Sequence, residues 1–330
     1  MRIGLVGAGR IGARHATALS GLPRVESLVV ADTRAGRARE LAAQVGAEAV
    51  DTVDELFAAG LDGLVVAAAT DAHAELVVRG VMAGLPVFCE KPIAPDISGT
   101  FQVVRTVNAT GVPVQVGFQR RFDAGHVAAR EAVESGRLGW LHTVRSCTLD
   151  PAPPPRDYIP ISGGLFRDCA VHDFDAVRFV TGREVVQAVA AGANRGDEIF
   201  RECDDVDTAT AVLTLDDGTI AVVSASRYNA AGYDVRFEAL GSKESVVTGL
   251  DAHTPLTSLE GGASGTPYGG FLERFAAAYD AELHAFTEMV AGGTESPCRP
   301  EEALEAFYVA EACDISRHEG RAVELAEVRR

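Results

Sequence analysis

The first twelve residues, MRIGLVGAGRIG (1–12), decide how the fold is read. Residues 2–6 are a short apolar run, as a buried strand requires, and residues 12–19 continue as a helix. Between them Gly7, Ala8, Gly9, Arg10, Ile11 and Gly12 spell G-x-G-x-x-G. Alone that pattern is weak. Between a strand and a helix it marks a dinucleotide site. Gly7 permits the tight turn, Gly9 lets a pyrophosphate approach the main chain, and Gly12 lets the helix pack closely on the strand. The N–H groups and dipole of the helix N-terminus then hold the phosphates. The second apolar run, 27–31, ends on Asp32. A carboxylate there accepts hydrogen bonds from ribose hydroxyls and repels a 2′-phosphate, so NAD is expected over NADP. The same aspartate can cap the next helix, and Arg34 and Arg37 offer cations to a 2′-phosphate.

Outward from this motif, the alternation continues. A helix is expected over 34–45, a strand over 63–69, a helix to Met82, a strand over 86–89, a helix over 97–108 and a strand over 112–117. Such alternation builds βαβ units and a parallel sheet, and the apolar runs imply strands covered on both faces. Past Gln119 the pattern changes. A helix over 124–135 and a strand over 141–148 lead into DPAPPPRDY (150–158), which must be loop because its prolines exclude helix and central strand. A helix over 169–179 follows. Strand-like segments then lie at 185–191, 207–215, 220–227, 233–240 and 244–247, with a hairpin turn at 216–218. Helices over 271–290 and 300–318 close the chain. The expected fold is α/β. A Rossmann domain with a doubly wound parallel sheet (1–118) precedes an α+β domain with a large, mostly antiparallel sheet (119–330).

Two segments carry candidate chemistry. Glu90-Lys91-Pro92 follows an apolar strand, and ligands of open parallel sheets gather beyond the carboxyl ends of strands. Lys91 is therefore placed to reach a bound substrate, although a turn lysine is also ordinary on a surface. GGLFRDCAVHDFD (163–175) sets Asp168 and His172 four apart, on one face of a helix, with Asp175 bordering that face. A histidine between two carboxylates suits alcohol oxidation. Hydride leaves carbon for a nicotinamide while a neutral imidazole takes the hydroxyl proton. An aspartate would set its tautomer and stabilise the imidazolium, and a lysine would stabilise a developing alkoxide. No metal is needed, and no H-x-x-H or H-E-x-x-H spacing occurs.

Composition bounds the alternatives. A net charge of −17 makes nucleic acid a poor partner. No apolar run has the length of a membrane span. The N-terminus enters its strand without a separate n-region or cleavage site, so no signal peptide is expected. The six cysteines are scattered without a C-x-x-C pair. Neither a disulfide framework nor a structural zinc is expected, and a reducing cytoplasm fits.

Together the glycine motif, EKP at 90–92 and D-x-x-x-H at 168–172 resemble the glucose–fructose oxidoreductase / inositol dehydrogenase / rhizopine catabolism family over essentially the whole chain, on its inositol 2-dehydrogenase side. FCEKP (88–92), QVGFQRRFD (115–123), SGGLFRDCAVHDFD (162–175), Gly232-Tyr233-Asp234 and FAAAYDAEL (275–283) extend the likeness. The resemblance implies Lys91, Asp168 and His172 as the catalytic trio, with His172 accepting the proton. It implies that Arg120, Asp150, Asp175, Tyr233 and Tyr279 face polyol hydroxyls. Around the cofactor it adds Arg10, Ile11, Thr33 and Arg34 to the glycines and Asp32, then Ala69, Thr70, His73, Glu90 and Lys91. It also implies an open-faced second sheet that forms homodimers or homotetramers. Two departures stand out: Asp150 where some inositol dehydrogenases carry asparagine, and Thr70-Asp71-Ala72-His73 where many relatives have a proline. The activity implied is NAD-dependent oxidation of myo-inositol, or a stereoisomer such as scyllo-inositol, to an inosose. A pyranose dehydrogenase shares fold and motif. A non-catalytic NAD-binding sensor would need the glycine loop and not the trio.

Overall fold

The structure, a computed structural model, describes residues 1–259, 265–292 and 294–329. The chain forms two compact units, Met1–Phe122 with Ala277–Leu304, and Asp123–Ala276 with Glu305–Arg330.

The first unit follows the expected alternation. Its strands are β1 (Arg2–Val6), β2 (Ser27–Ala31), β3 (Glu48–Ala49), β4 (Gly63–Val66), β5 (Val87–Glu90) and β6 (Val114–Gly117). Its helices are α1 (Arg10–Gly21), α2 (Ala35–Val45), α3 (Val53–Phe57), α4 (Thr70–Met82) and α5 (Ile97–Thr110). The sheet order is β3-β2-β1-β4-β5-β6, parallel throughout. β4, β5 and β6 are buried along their whole length, which is why they read as mainly apolar runs, with Glu90 ending β5 and Gln115 inside β6. The short β3 and α3 carry too little periodicity to be read in advance. Thr52 caps α3 by accepting from Glu55 N, and Asp96 caps α5 by accepting from Gly99 N.

The second unit holds α6 (Ala124–Glu134), β7 (Leu141–Leu149), α7 (Val171–Thr181), β8 (Val185–Ala193), α8 (Ile199–Glu202), β9 (Thr208–Leu215), β10 (Ile220–Ser226), β11 (Asp234–Gly241), β12 (Ser245–Thr248) and the single turn α9 (Phe271–Arg274). After α10 (Ala276–Val290) and α11 (Pro300–Glu319) the chain ends in β13 (Val323–Glu324) and α12 (Leu325–Val328). The sheet runs β12-β11-β7-β10-β9-β8-β13. It is antiparallel except where β10 lies parallel to β7, Ser226 beside Leu149. The chain leaves β7, passes through the proline loop and α7 to β8, then returns by way of β9 to lie beside β7. One face is covered. Asp173 of α7 accepts from Ser146 Oγ (2.5 Å) and Thr148 Oγ1 (2.6 Å) of β7. The other face stays open: in β9, Ala209, Ala211, Leu213 and Leu215 are buried, while Val212 is exposed opposite exposed Val189.

Two expected helices are corrected. The helix over 271–290 is two pieces, α9 and α10, broken at Phe275. Leaving the helical path lets the Phe275 ring bury beside His126, at 6.5 Å between centroids. The helix over 169–179 is α7 at Val171–Thr181, preceded by a π-helical turn at Phe166–Ala170. The extra residue in that turn moves Asp168 out of simple α-helical register with His172.

α10 belongs to the first unit because of what it buries. Leu283, Phe286 and Met289 join Ile3, Leu5, Leu19 and Phe88 in one apolar core. Burying each such side chain stabilises by about 1.5–3 kcal/mol.

Candidate functional site

The glycine loop separates its three glycines by role. Gly7 has φ +105°, and a Cβ there would lie 2.3 Å from Ala67 O. A Cβ at Gly12 would lie 2.0 Å from Gly7 O. Both glycines are demanded by the protein itself. Gly9 is different: a Cβ there meets nothing within 4 Å. Gly9 caps α1 with no side chain bonded to the helix end, so its first N–H groups remain available to an external anion. This open glycine above an uncapped helix is the cradle a pyrophosphate needs.

Asp32, at the end of β2, ties that loop in place. Its Oδ2 accepts from Ala8 N at 2.7 Å and its Oδ1 from Arg34 N at 2.8 Å. Each oxygen keeps a further lone pair for a ribose hydroxyl. Arg10, Thr33 and Arg34 are exposed around this loop, Ile11 is half-buried, and exposed Ala69 caps α4, which begins at Thr70. His73 is buried and engaged with main chain. Its Nδ1 lies 2.7 Å from Pro92 O and its Nε2 3.0 Å from Ala68 O. It therefore links the turn after β4 to the turn that carries Lys91. Glu90 is buried and Lys91 half-buried at the end of β5. Arg120 is buried in the same unit. So is Tyr279, whose ring stands edge-on to His15 at 6.0 Å.

In the second unit, the parallel pairing of β7 and β10 brings two strand ends together. Asp150 follows β7 and Arg227 follows β10; Asp150 N donates to Ser226 O at 2.9 Å. Arg227 Nη1 donates to Asp150 Oδ2 at 3.2 Å, and its Nη2 to Asp168 Oδ2 at 2.6 Å. Tyr158, from the proline loop, donates its hydroxyl to Asp168 Oδ1 at 3.0 Å. Burial of the Arg227 guanidinium works against its charge, but the Asp168 and Asp150 carboxylates outweigh it and push its pKa above the ordinary arginine value. His172 stands half-buried in the first turn of α7. Asp175, one turn further on, is fully buried, and Tyr233 is buried just ahead of β11.

Asp150 and Asp168 are thus joined through a shared cation. Sequence reasoning did not single out Arg227 or Tyr158. Arg227 has no motif around it, and its role exists only because β10 docks beside β7. Tyr158 lay in a segment readable only as loop.

A Rossmann sheet carrying an open glycine cradle and a carboxylate at the end of its second strand defines a dinucleotide-binding protein. Residues 1–118 match the oxidoreductase family with an NAD-binding Rossmann fold, and residues 126–247 match the GFO/IDH/MocA C-terminal domain. The chain belongs to the GFO/IDH/MocA family of NAD-binding oxidoreductases. It is 42% identical to a myo-inositol dehydrogenase of Streptomyces leeuwenhoekii over 90% of both chains. It is 36% identical to a myo-inositol 2-dehydrogenase of Thermotoga maritima over 99% of both. The crystal structure of scyllo-inositol dehydrogenase from Lactobacillus casei with bound NAD(H) and scyllo-inositol is similar at a TM-score of 0.90. Its sequence is 27% identical, and the match covers 99% of each chain.

Proposed function

We propose that this protein oxidises a secondary hydroxyl of a cyclic polyol, myo-inositol or a stereoisomer such as scyllo-inositol, to the corresponding inosose. The observation that carries the reading is near-full-length similarity to inositol dehydrogenases in a chain whose glycine cradle fits NAD. Bound NAD supplies the hydride acceptor. The chain's own residues handle the proton and the charge. His172 takes the hydroxyl proton. Asp168, held by Tyr158 and Arg227, orients the imidazole and stabilises the imidazolium. Lys91 stabilises the developing alkoxide. Arg120, Asp150, Asp175, Tyr233 and Tyr279 recognise the remaining hydroxyls. In this reading residues 1–118 hold the cofactor and residues 119–330 recognise substrate and assemble the oligomer. Exposed Val189, Val212 and Ile220 on the open face of the second sheet support assembly as a homodimer or homotetramer. No described helix is long and apolar enough to cross a membrane, and we place the enzyme in the cytoplasm.

The test is NADH formation from NAD, and NADPH formation from NADP, with myo-, scyllo- and chiro-inositol and with glucose. Strong NAD-dependent turnover of one inositol is expected. Turnover of glucose alone would replace the inositol assignment with a pyranose. NAD binding without any turnover would point to a sensor.

A further inference from the structure

Three polar side chains meet inside the first unit. His15 lies on α1, Glu90 ends β5, and Glu282 lies on α10; they are 0%, 9% and 0% exposed. His15 Nε2 is 2.7 Å from Glu90 Oε1. One oxygen from each carboxyl group and one His15 nitrogen all lie within 4.8 Å of one another. Among the described residues, neither carboxyl oxygen of Glu282 has a hydrogen-bond partner, and His15 Nδ1 has none. Gln115 of β6 donates from Nε2 to the main-chain carbonyl of Glu282 at 2.9 Å, and its own Oε1 is buried without a partner.

A buried carboxylate with no donor is strongly disfavoured, and two carboxylates this close do not both ionise readily. A proton on Glu282 removes both difficulties. It turns Glu282 into a donor, and the Glu90 carboxylate, with an oxygen within 4.8 Å, is the acceptor beside it. We propose that Glu282 is a neutral acid that shares its proton with Glu90, and that with His15 it forms a buried cluster anchoring the main chain at Lys91. Burial and the Glu90 charge push Glu282 well above the usual carboxyl range, against a weaker opposing pull from Arg14. The other groups nearby do not change this balance. Arg14 is paired with Asp280 at 2.7 Å, the Cys89 thiol is itself pushed up by burial and Glu90, and the Tyr279 ring stands edge-on to His15 at 6.0 Å.

The same three residues resemble a cation site. However, the His15–Glu90 distance is that of a hydrogen bond, and two ligands at about 2.0–2.2 Å from one ion stand farther apart than that. A metal-bound histidine also gives its second ring N–H an acceptor, which His15 Nδ1 lacks.

Glu282→Gln keeps a donor at the same place. The infrared spectrum of the whole protein at neutral pH should contain the carbonyl stretch of a protonated carboxyl group, and Glu282→Gln should lose it. Stability should diverge as pH rises above the unfolded carboxyl value of about 4.3. A carboxyl raised by folding contributes fully below its unfolded pKa, and that contribution is lost as pH rises through the folded value. Glu282→Gln should therefore match the wild type in acid and melt increasingly higher than it as pH rises. The positioning role rests on the proposed oxidation. Glu282→Leu should lower kcat about tenfold or more with NAD affinity kept, and Glu282→Gln should restore kcat to within about twofold. Absence of the band, or a stoichiometric divalent metal in the purified protein, overturns the proton assignment. Unchanged kcat in Glu282→Leu overturns the link to Lys91 alone. The infrared and melting results do not depend on substrate, so their failure is distinct from failure of the inositol assignment.

Discussion

Arg227 holds Asp168 by a hydrogen bond of 2.6 Å from its Nη2, and with the other arm of the same guanidinium it holds Asp150 at 3.2 Å. One buried cation thus fixes two acids carried by different segments, and Tyr158 closes on Asp168 from a third. A charge-assisted fork of this kind fixes direction as well as distance. Asp168 is therefore presented in a set orientation.

Arg227→Ala should remove the guanidinium that Asp150 and Asp168 share. Breaking a buried pair in this way destabilises by about 3–5 kcal/mol. Denaturant unfolding measures the loss. Arg227→Lys keeps the charge and loses the fork, so it should retain more stability than the alanine variant while kcat still falls. Equal kcat in Arg227→Lys and wild type would remove the orienting role.

His172→Ala should lower kcat by about 10²–10⁴-fold. Its affinity for NAD, measured by fluorescence titration, should be unchanged. Unchanged turnover would end the role of His172 as base.

The glycines should separate by variant. Gly12→Ala drives a Cβ onto Gly7 O, 2.0 Å away, so its melting temperature should fall. Gly9→Ala meets open space and should fold as well as the wild type. It should still bind NAD about tenfold or more weakly, because the added methyl stands where the pyrophosphate approaches. Equal NAD affinity in Gly9→Ala would displace the proposed cradle.

Asp32→Ala removes the acceptor of Ala8 N and Arg34 N and the carboxylate that repels a 2′-phosphate. NAD use should fall, and the ratio of NADP to NAD efficiency should rise about tenfold, aided by exposed Arg34 and Arg37. Steady-state kinetics with both cofactors reads this directly.

Asp123 predicts an acid limb of stability. Burial by itself would raise its carboxyl, but hydrogen bonds and charge from His126 (2.7 Å) and Arg274 (2.8 Å) hold it well below the usual carboxylate range. Its contribution is present above the unfolded value of about 3.9 and is lost as pH falls through the lower folded value. Asp123→Asn should be less stable than wild type at neutral pH, and the gap should narrow below about pH 4. A gap independent of pH would assign the loss to packing.

The sequence by itself determined the Rossmann half, because its information is local. β1, the glycine loop, α1 and Asp32 follow one another along the chain, and the longer strands are mainly apolar. Lys91 was legible as a residue just past a strand end, and Asp168 and His172 as a spaced pair. What only the tertiary structure decided depends on contacts between distant segments. The parallel docking of β10 on β7 made Arg227 the shared cation of Asp150 and Asp168. The π-helical turn reset the register between Asp168 and His172. The burial of Leu283, Phe286 and Met289 with Ile3 and Leu5 carried α10 into the first unit and set Glu282 beside Glu90. Periodicity reports which face of an element is buried; it does not report what that face is buried against, and a strand's neighbour is chosen by the packing of the whole chain.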